Sequence, residues 1–214
     1  MILKPFLMFL VLLSMFSVVG LATPANISII NQTAKLGQTF NVDINIIPNG
    51  NSASGWQANV SWDPTIIRVN GITEGNYLKL YGSQTFFMPG TIANGSTGYT
   101  FAVILGPNSG VSNPGVLMTL NITTIGVTHN STLTPLNIKL VDPNGNYIPF
   151  TLSSSRVVVA PKYDVNMDGI VDIADLTLLA QYYMQSNAAY DINGDGIIDI
   201  VDVVIAAQHF GQTW

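Results

Sequence analysis

The feature that most restricts what this chain can become is a twelve-residue pattern that occurs twice near the C-terminus, 27 residues apart. Asp164, Asn166, Asp168, Gly169, Asp172 and Asp175 recur as Asp191, Asn193, Asp195, Gly196, Asp199 and Asp202. Oxygen-bearing side chains thus occupy positions 1, 3, 5, 9 and 12 of each loop, and Ile170 and Ile197 at position 7 offer a backbone carbonyl. Glycine at position 6 permits the sharp turn that wraps these oxygens around one point, where a hard cation taking six to eight oxygen ligands fits. The four carboxylates of each loop repel one another by about 1–3 kcal/mol per pair at ~5 Å, and a cation removes that repulsion. A merely solvated acidic tail needs neither the glycine nor the apolar residue at position 8, Val171 and Ile198. The pattern predicts two Ca2+ ions, one in loop 164–175 and one in loop 191–202; Mg2+, which keeps its waters and takes fewer carboxylates, is disfavoured.

Charge divides the chain the same way. The last 54 residues hold one base, Lys162, and eight aspartates, whereas residues 1–160 hold six bases and four acids, Asp43, Asp63, Glu74 and Asp142. Two regions with different roles are implied. No basic run exists that could follow a phosphate backbone, so nucleic acid is excluded as a partner. The absence of cysteine rules out disulfides and thiolate chemistry, and two histidines, His129 and His209, cannot build a His-rich metal centre.

Residues 1–25 read as a secretory signal peptide: Lys4, an apolar run through Leu21, then Gly20, Ala22 and Ala25 where a peptidase needs small residues. Left uncleaved, the same stretch is about long enough to anchor the chain in a membrane. In either case the remainder is expected to be secreted or at the cell surface. Six N-x-Ser/Thr acceptors, at Asn26, Asn31, Asn59, Asn94, Asn121 and Asn130, fit an exported glycoprotein. They equally fit an Asn-rich surface that carries no glycan.

Residues 26–160 show strand periodicity. Phe40, Val42, Ile44 and Ile46 alternate with polar residues over Thr39–Ile47, and Trp56, Ala58, Val60 and Trp62 do so over Gly55–Trp62. Further β-rich runs follow at Thr65–Val69, Thr85–Met88, Thr97–Ile104, Val116–Ile125, Leu136–Val141 and Arg156–Ala160, divided by turns such as Asp63-Pro64 and Asp142-Pro143-Asn144-Gly145. An antiparallel jelly-roll β-sandwich is predicted. Its four acids supply no carboxylate pair for glycoside hydrolysis, and Asp63 and Asp142, each before a proline, read as turn formers. No nucleophile elbow or phosphate loop is present, so the chain is read as not an enzyme. His129 is expected in an exposed loop, and the two tryptophans in the core rather than on a sugar-stacking strip.

The run Gly55-Trp56-Gln57-Ala58-Asn59-Val60-Ser61-Trp62-Asp63-Pro64, with the later Thr85-Phe86-Phe87, Leu105-Gly106-Pro107 and Lys139-Leu140-Val141-Asp142, resembles the cohesin domain over about residues 26–160. That resemblance implies a jelly-roll sandwich related to some carbohydrate-binding modules, whose flat sheet face receives a dockerin-bearing protein. The outward residues Gln57, Asn59 and Ser61 would help form that face, and a glycan on Asn59 would obstruct it.

Each acidic loop is followed by an apolar period: Leu176, Leu179, Ala180 and Tyr183, then Val203, Ala206, Ala207 and Phe210. These two faces are expected to pack together. No helix enters loop 1, because Val157–Ala160 is a strand ended by Pro161, and position 12 is Asp rather than Glu. This loop-helix repeat over residues 163–211 is similar to the dockerin family, and the unit over 161–214 is read as a small α domain. The resemblance implies that the twelve positions at 1, 3, 5, 7, 9 and 12 ligate calcium, and that positions 10 and 11, Ile173-Ala174 and Ile200-Val201, read a cohesin domain of another chain. Plain packing at the helix starts would explain those four residues equally well. A unit this small is expected to lose its order without calcium.

The two readings together predict a non-catalytic, calcium-dependent adaptor of an extracellular complex, cellulosome-like in kind. The alternative is a carbohydrate-binding sandwich, taking a polysaccharide, that its dockerin attaches to a scaffold of degrading enzymes. Only Pro161, Lys162 and Tyr163 join the last strand to the first ligand, a reach of about 10 Å. Folding the acidic unit back onto the sandwich face of the same molecule is therefore sterically hard.

Overall fold

The computed structural model describes residues 23–107 and 109–214. The expected leader lies outside the described residues except for its last three positions, and Ala25, a cleavage candidate, already belongs to the first strand.

Eleven strands form two sheets: β1 (Ala25–Ile29), β2 (Gln32–Lys35), β3 (Thr39–Ile47), β4 (Gly55–Ser61), β5 (Ile67–Glu74), β6 (Thr85–Met88), β7 (Thr100–Ile104), β8 (Gly115–Thr124), β9 (Thr128–Val141), β10 (Phe150–Ser153) and β11 (Ser155–Ala160). One sheet runs β10-β1-β3-β8-β5 and the other β2-β11-β9-β4-β7-β6. Pairing is antiparallel except at two edges, where β1 meets β10 and β2 meets β11 in parallel. The inward residues of the alternating runs, among them Val42, Ile44, Ile46, Trp56, Ala58, Val60, Leu120 and Ile122, share one core between the sheets. Trp56 and Trp62 are inside it.

Three strands lie outside the expected runs, and all are short edge or near-edge pieces whose partners are distant in sequence. The longest strand also begins earlier than the periodicity predicts. Pro135 lies inside β9, whose first half pairs with β11 and whose second half pairs with β4. Pro135 falls at that handover, and a left-handed Asn137 (φ 49°) marks the accompanying bulge. His129 is consequently exposed on a strand and not in a loop.

Two helices follow, α1 (Ile173–Gln181) and α2 (Ile200–Gln208), around a small separate core of Val165, Leu179, Ile192, Ile198 and Ala206. The expected apolar faces are only half right. Leu176, Leu179, Val203 and Ala206 turn inward, while Ala180, Tyr183, Ala207 and Phe210 stand exposed. Each helix ends after nine residues, before Tyr183 and Phe210, and the loops' own apolar residues fill the centre instead.

Candidate calcium loops and binding faces

The loops are shaped by their own carboxylates. In loop 1 (164–175) the Asp164 Oδ1 accepts from the Met167 N–H at 2.8 Å and its Oδ2 from the Gly169 N–H at 2.9 Å. Asn166 and Asp168 accept from the N–H groups of Asp168 and Ile170. At position 12 the Asp175 Oδ1 accepts from Val165 and Asn166, and its Oδ2 from Asp172, at 2.6–3.0 Å. Loop 2 (191–202) repeats this: Asp191 holds Gly194 and Gly196, Asn193 and Asp195 hold Asp195 and Ile197, and Asp202 holds Ile192, Asn193 and Asp199. Positions 9 and 12 double as the helix start. Asp172 with Asp175, and Asp199 with Asp202, form capping boxes that satisfy N–H groups otherwise left open at a helix N-terminus. Gly169 (φ 95°) and Gly196 (φ 98°) occupy the left-handed turn at position 6.

The donor set matches a hard cation. Asp164, Asp175 and Asp202 have 0% exposure, and among the described residues the one ion pair is Glu74–Lys79 in the sandwich. A buried carboxylate without an ion-pair partner is costly, and a cation in each loop, beside Asp164 and Asp175 in one and Asp202 in the other, would offset that cost. Among the described residues no three His, Cys, Asp or Glu side chains already converge into a cluster. The loop chemistry requires the Asn side chain and the position-7 carbonyl as well.

The repeats are cross-braced. The segment after α1 bonds to position 8 of loop 2, Met184 N–H to Ile198 O at 2.7 Å and Ile198 N–H to Gln185 O at 3.0 Å. The segment after α2 does the same for loop 1, Gly211 N–H to Val171 O at 2.7 Å and Val171 N–H to Gln212 O at 2.9 Å. Each loop is therefore closed by the tail of the other repeat. The 27-residue offset places Met184-Gln185 opposite Gly211-Gln212 and was the signal available for this.

Beyond that brace, Trp214 bridges the two domains. Its Nε1–H donates to Asp164 Oδ2, and its indole stacks on His129 of β9 with centroids 4.3 Å apart and planes 9° from parallel. On the other side, Lys35 at the end of β2 donates to Ala189 O at 2.6 Å and lies over the Tyr190 ring. Burial lowers the Lys35 amine below its usual range, while Asp164 and Asp175 pull it back upward. Lys162 donates to Ile192 O. None of His129, Lys35 or Trp214 belongs to a local motif, so sequence reading did not find this seam.

The expected partner residues sit on open surfaces. Ile173 (66% exposed), Ala174, Ile200 (59%) and Val201 face solvent at the helix starts and outside the small core, so helix packing does not explain them. Gln57, Asn59 and Ser61 line the outer side of β4, half-buried in the middle of the six-stranded sheet. Toward the β6 edge that face becomes apolar, with Phe86, Met88, Phe101 and Val103 outward. Phe86 and Phe101 meet at a 47° tilt, which is no flat platform for a sugar ring.

Among the acceptor asparagines, Asn31, Asn94 and Asn130 are exposed. Asn26 donates to Thr151, Asn121 is bonded to Asn41 and Asn70, and Asn59 keeps a buried Oδ1 without a partner. Asp63 and Asp142 are turn formers. Hydrogen bonds from Thr65 hold the Asp63 carboxyl below the usual range, and bonds from Asn146 and Asn144 do so for Asp142.

Comparison with known families decides the assignment. Residues 25–159 match the cohesin domain, and residues 162–210 match the dockerin type I domain. The chain belongs to the cohesin family and ends in a type I dockerin. The cohesin fold recurs in solved structures. A non-cellulosomal cohesin from Archaeoglobus fulgidus aligns at 15% identity and TM-score 0.51, covering 67% of this chain and 96% of that one. The Coh-OlpC–Doc435 cohesin–dockerin complex of Clostridium thermocellum aligns at 13% identity and TM-score 0.55, covering 64% and 94%. The cohesin module of a family 33 glycoside hydrolase from Clostridium perfringens aligns at 18% identity and TM-score 0.54, covering 65% and 98%. No protein of curated function matches. Cohesin and dockerin are interaction domains, not catalytic ones, and type I dockerins bind calcium.

Proposed function

We propose that this chain is a non-catalytic, calcium-dependent adaptor of an extracellular or cell-surface complex. The observation that carries it is the joining, in one chain, of a cohesin and a dockerin whose three fully buried carboxylates lack any ion-pair partner. Two Ca2+ ions would be held, one by Asp164, Asn166, Asp168, the Ile170 carbonyl, Asp172 and Asp175, and one by Asp191, Asn193, Asp195, the Ile197 carbonyl, Asp199 and Asp202. With calcium in place the helix starts carrying Ile173, Ala174, Ile200 and Val201 are fixed for a cohesin. The sheet face around Gln57, Asn59 and Ser61 receives a dockerin. Export follows from the apolar leader and the acceptor asparagines.

Calorimetric titration tests the reading. Two Ca2+ per chain are expected, with capture of an isolated cohesin by the loaded protein only. Uptake of no calcium, or capture that is indifferent to a chelator, overturns it.

A further inference from the structure

The two binding faces are open at once in a single molecule, and they point to different places. The dockerin is seated at the β2, β11 and β9 end of the six-stranded sheet by Lys35, Lys162 and the Trp214–His129 stack. The apolar part of the sheet face lies on β7 and β6, three and four strand spacings from β11, the strand that the linker leaves, which is roughly 14 and 19 Å. A three-residue linker reaching about 10 Å cannot carry the dockerin across. Neither face can therefore satisfy the other within one chain.

Their chemistry nonetheless matches. The sheet face offers Phe86, Met88, Phe101 and Val103 in neighbouring register on two strands, and the dockerin offers Ile173, Ile200, Val201 and Val204, all well exposed. Charge is complementary too. The strands β9, β4, β7 and β6 contain one base, Lys139, and no acidic residue, while the dockerin carries eight aspartates against one lysine. It stays net negative with two Ca2+ bound. Lys139 is exposed on β9, directly opposite Gln57, beside the apolar patch.

We propose that the partner of each face is a second copy of this chain, the dockerin of one molecule docking on the β4-β7-β6 face of the next. This rests on the adaptor reading above and names its partner. The contact is heterologous, so it builds open chains or closed rings rather than a symmetric dimer.

Sedimentation velocity on the chain from Thr23 onward, produced without glycans, tests it. In calcium the mean mass is expected to rise with concentration, and chelator should return the monomer. Phe86→Asp with Met88→Asp blocks one face, and Ile200→Asp with Val201→Asp blocks the other. Each variant should be monomeric in calcium, yet their equimolar mixture should form a dimer of doubled mass, because each keeps the face that the other has lost. A wild-type chain that stays monomeric in calcium overturns the proposal, as does association that persists in chelator or a mixture that stays monomeric. The wild-type series decides the matter alone should a variant fail to fold. Calcium uptake measured on the same samples separates the two levels: uptake without association rejects only self-pairing, and no uptake rejects the adaptor reading with it.

Discussion

Loop 1 and loop 2 carry the same ligand-type residues at the same spacing, yet their surroundings diverge. Asp164 at the head of loop 1 is fully buried, whereas its counterpart Asp191 is only partly covered. The cover on loop 1 is Trp214, whose indole N–H gives Asp164 its third hydrogen bond and which is itself backed by His129 of the cohesin. Asp191 takes its third from the Asp195 backbone N–H within its own loop. Among the described residues no aromatic side chain donates to Asp191; Lys162 reaches loop 2 at the Ile192 carbonyl, and Lys35 of the sandwich reaches the preceding turn at Ala189 and Tyr190. A twelve-residue motif thus sets the oxygen donors, while the groups that bond to those donors and the degree of burial come from wherever the rest of the chain puts them. Loop 1 is expected to hold calcium more tightly and to release it last as chelator is added.

The largest effect should come from the feature the loops share, their crossed bracing. Asp202 accepts three backbone N–H bonds and starts α2, whose tail closes loop 1; Asp175 does the same for α1, whose tail closes loop 2. Asp202→Ala leaves those N–H groups unpaired, at a cost of about 3 kcal/mol or more. Both Asp202→Ala and Asp175→Ala should therefore abolish both sites, lowering the calorimetric stoichiometry from two to zero and removing the helical ellipticity while the sandwich stays folded. A stoichiometry of one would mean that the loops stand alone and that the bracing transmits nothing.

Trp214 offers a finer separation, because it touches loop 1 only. Trp214→Phe keeps a ring to stack on His129 and removes the N–H that reaches Asp164. Loss of an outer-shell partner to a ligand typically costs about 10–100-fold in metal affinity. Loop 1 should fall in that range, erasing its advantage over loop 2, whose affinity should not move. An equal fall at both loops in a two-site fit would trace the effect to general loosening of the dockerin.

Local features of this fold are legible in its sequence, and features that join distant segments are not. Spacing of Asp, Asn and Gly in each loop, and alternation in β3 and β4, follow from the geometry of a single turn or strand, so they can be read from neighbouring residues. The strands β1, β2 and β10 pair with segments up to 125 residues away and carry too few alternations to announce themselves. The seam made by Lys35, His129 and Trp214 unites three residues from distant parts of the chain, none with a motif of its own. Tyr183 and Phe210 depart from the expected stripe because each helix stops after nine residues, before either is reached, while Ala180 and Ala207 lie within the helices but face solvent.

The smallest predicted effect separates the loops at position 4. Both loops require a left-handed backbone there, supplied by Met167 (φ 62°) in loop 1 and by Gly194 (φ 80°) in loop 2. A side chain in that region costs roughly 1 kcal/mol relative to glycine, so loop 1 carries a strain that loop 2 avoids. Met167 is also exposed, and its side chain contributes nothing to the small core that would offset the strain. Met167→Gly should accordingly stabilise the calcium-loaded dockerin by somewhat less than about 1 kcal/mol, since added glycine freedom in the unfolded chain returns part of the gain. The reverse change, Gly194→Ala, meets no atom within 4 Å and should cost about the same through φ alone. Thermal unfolding in saturating calcium checks both. If the two substitutions shift the midpoint in the same direction, backbone strain at position 4 is not what distinguishes the loops, and the difference lies wholly in the cover that Trp214 provides.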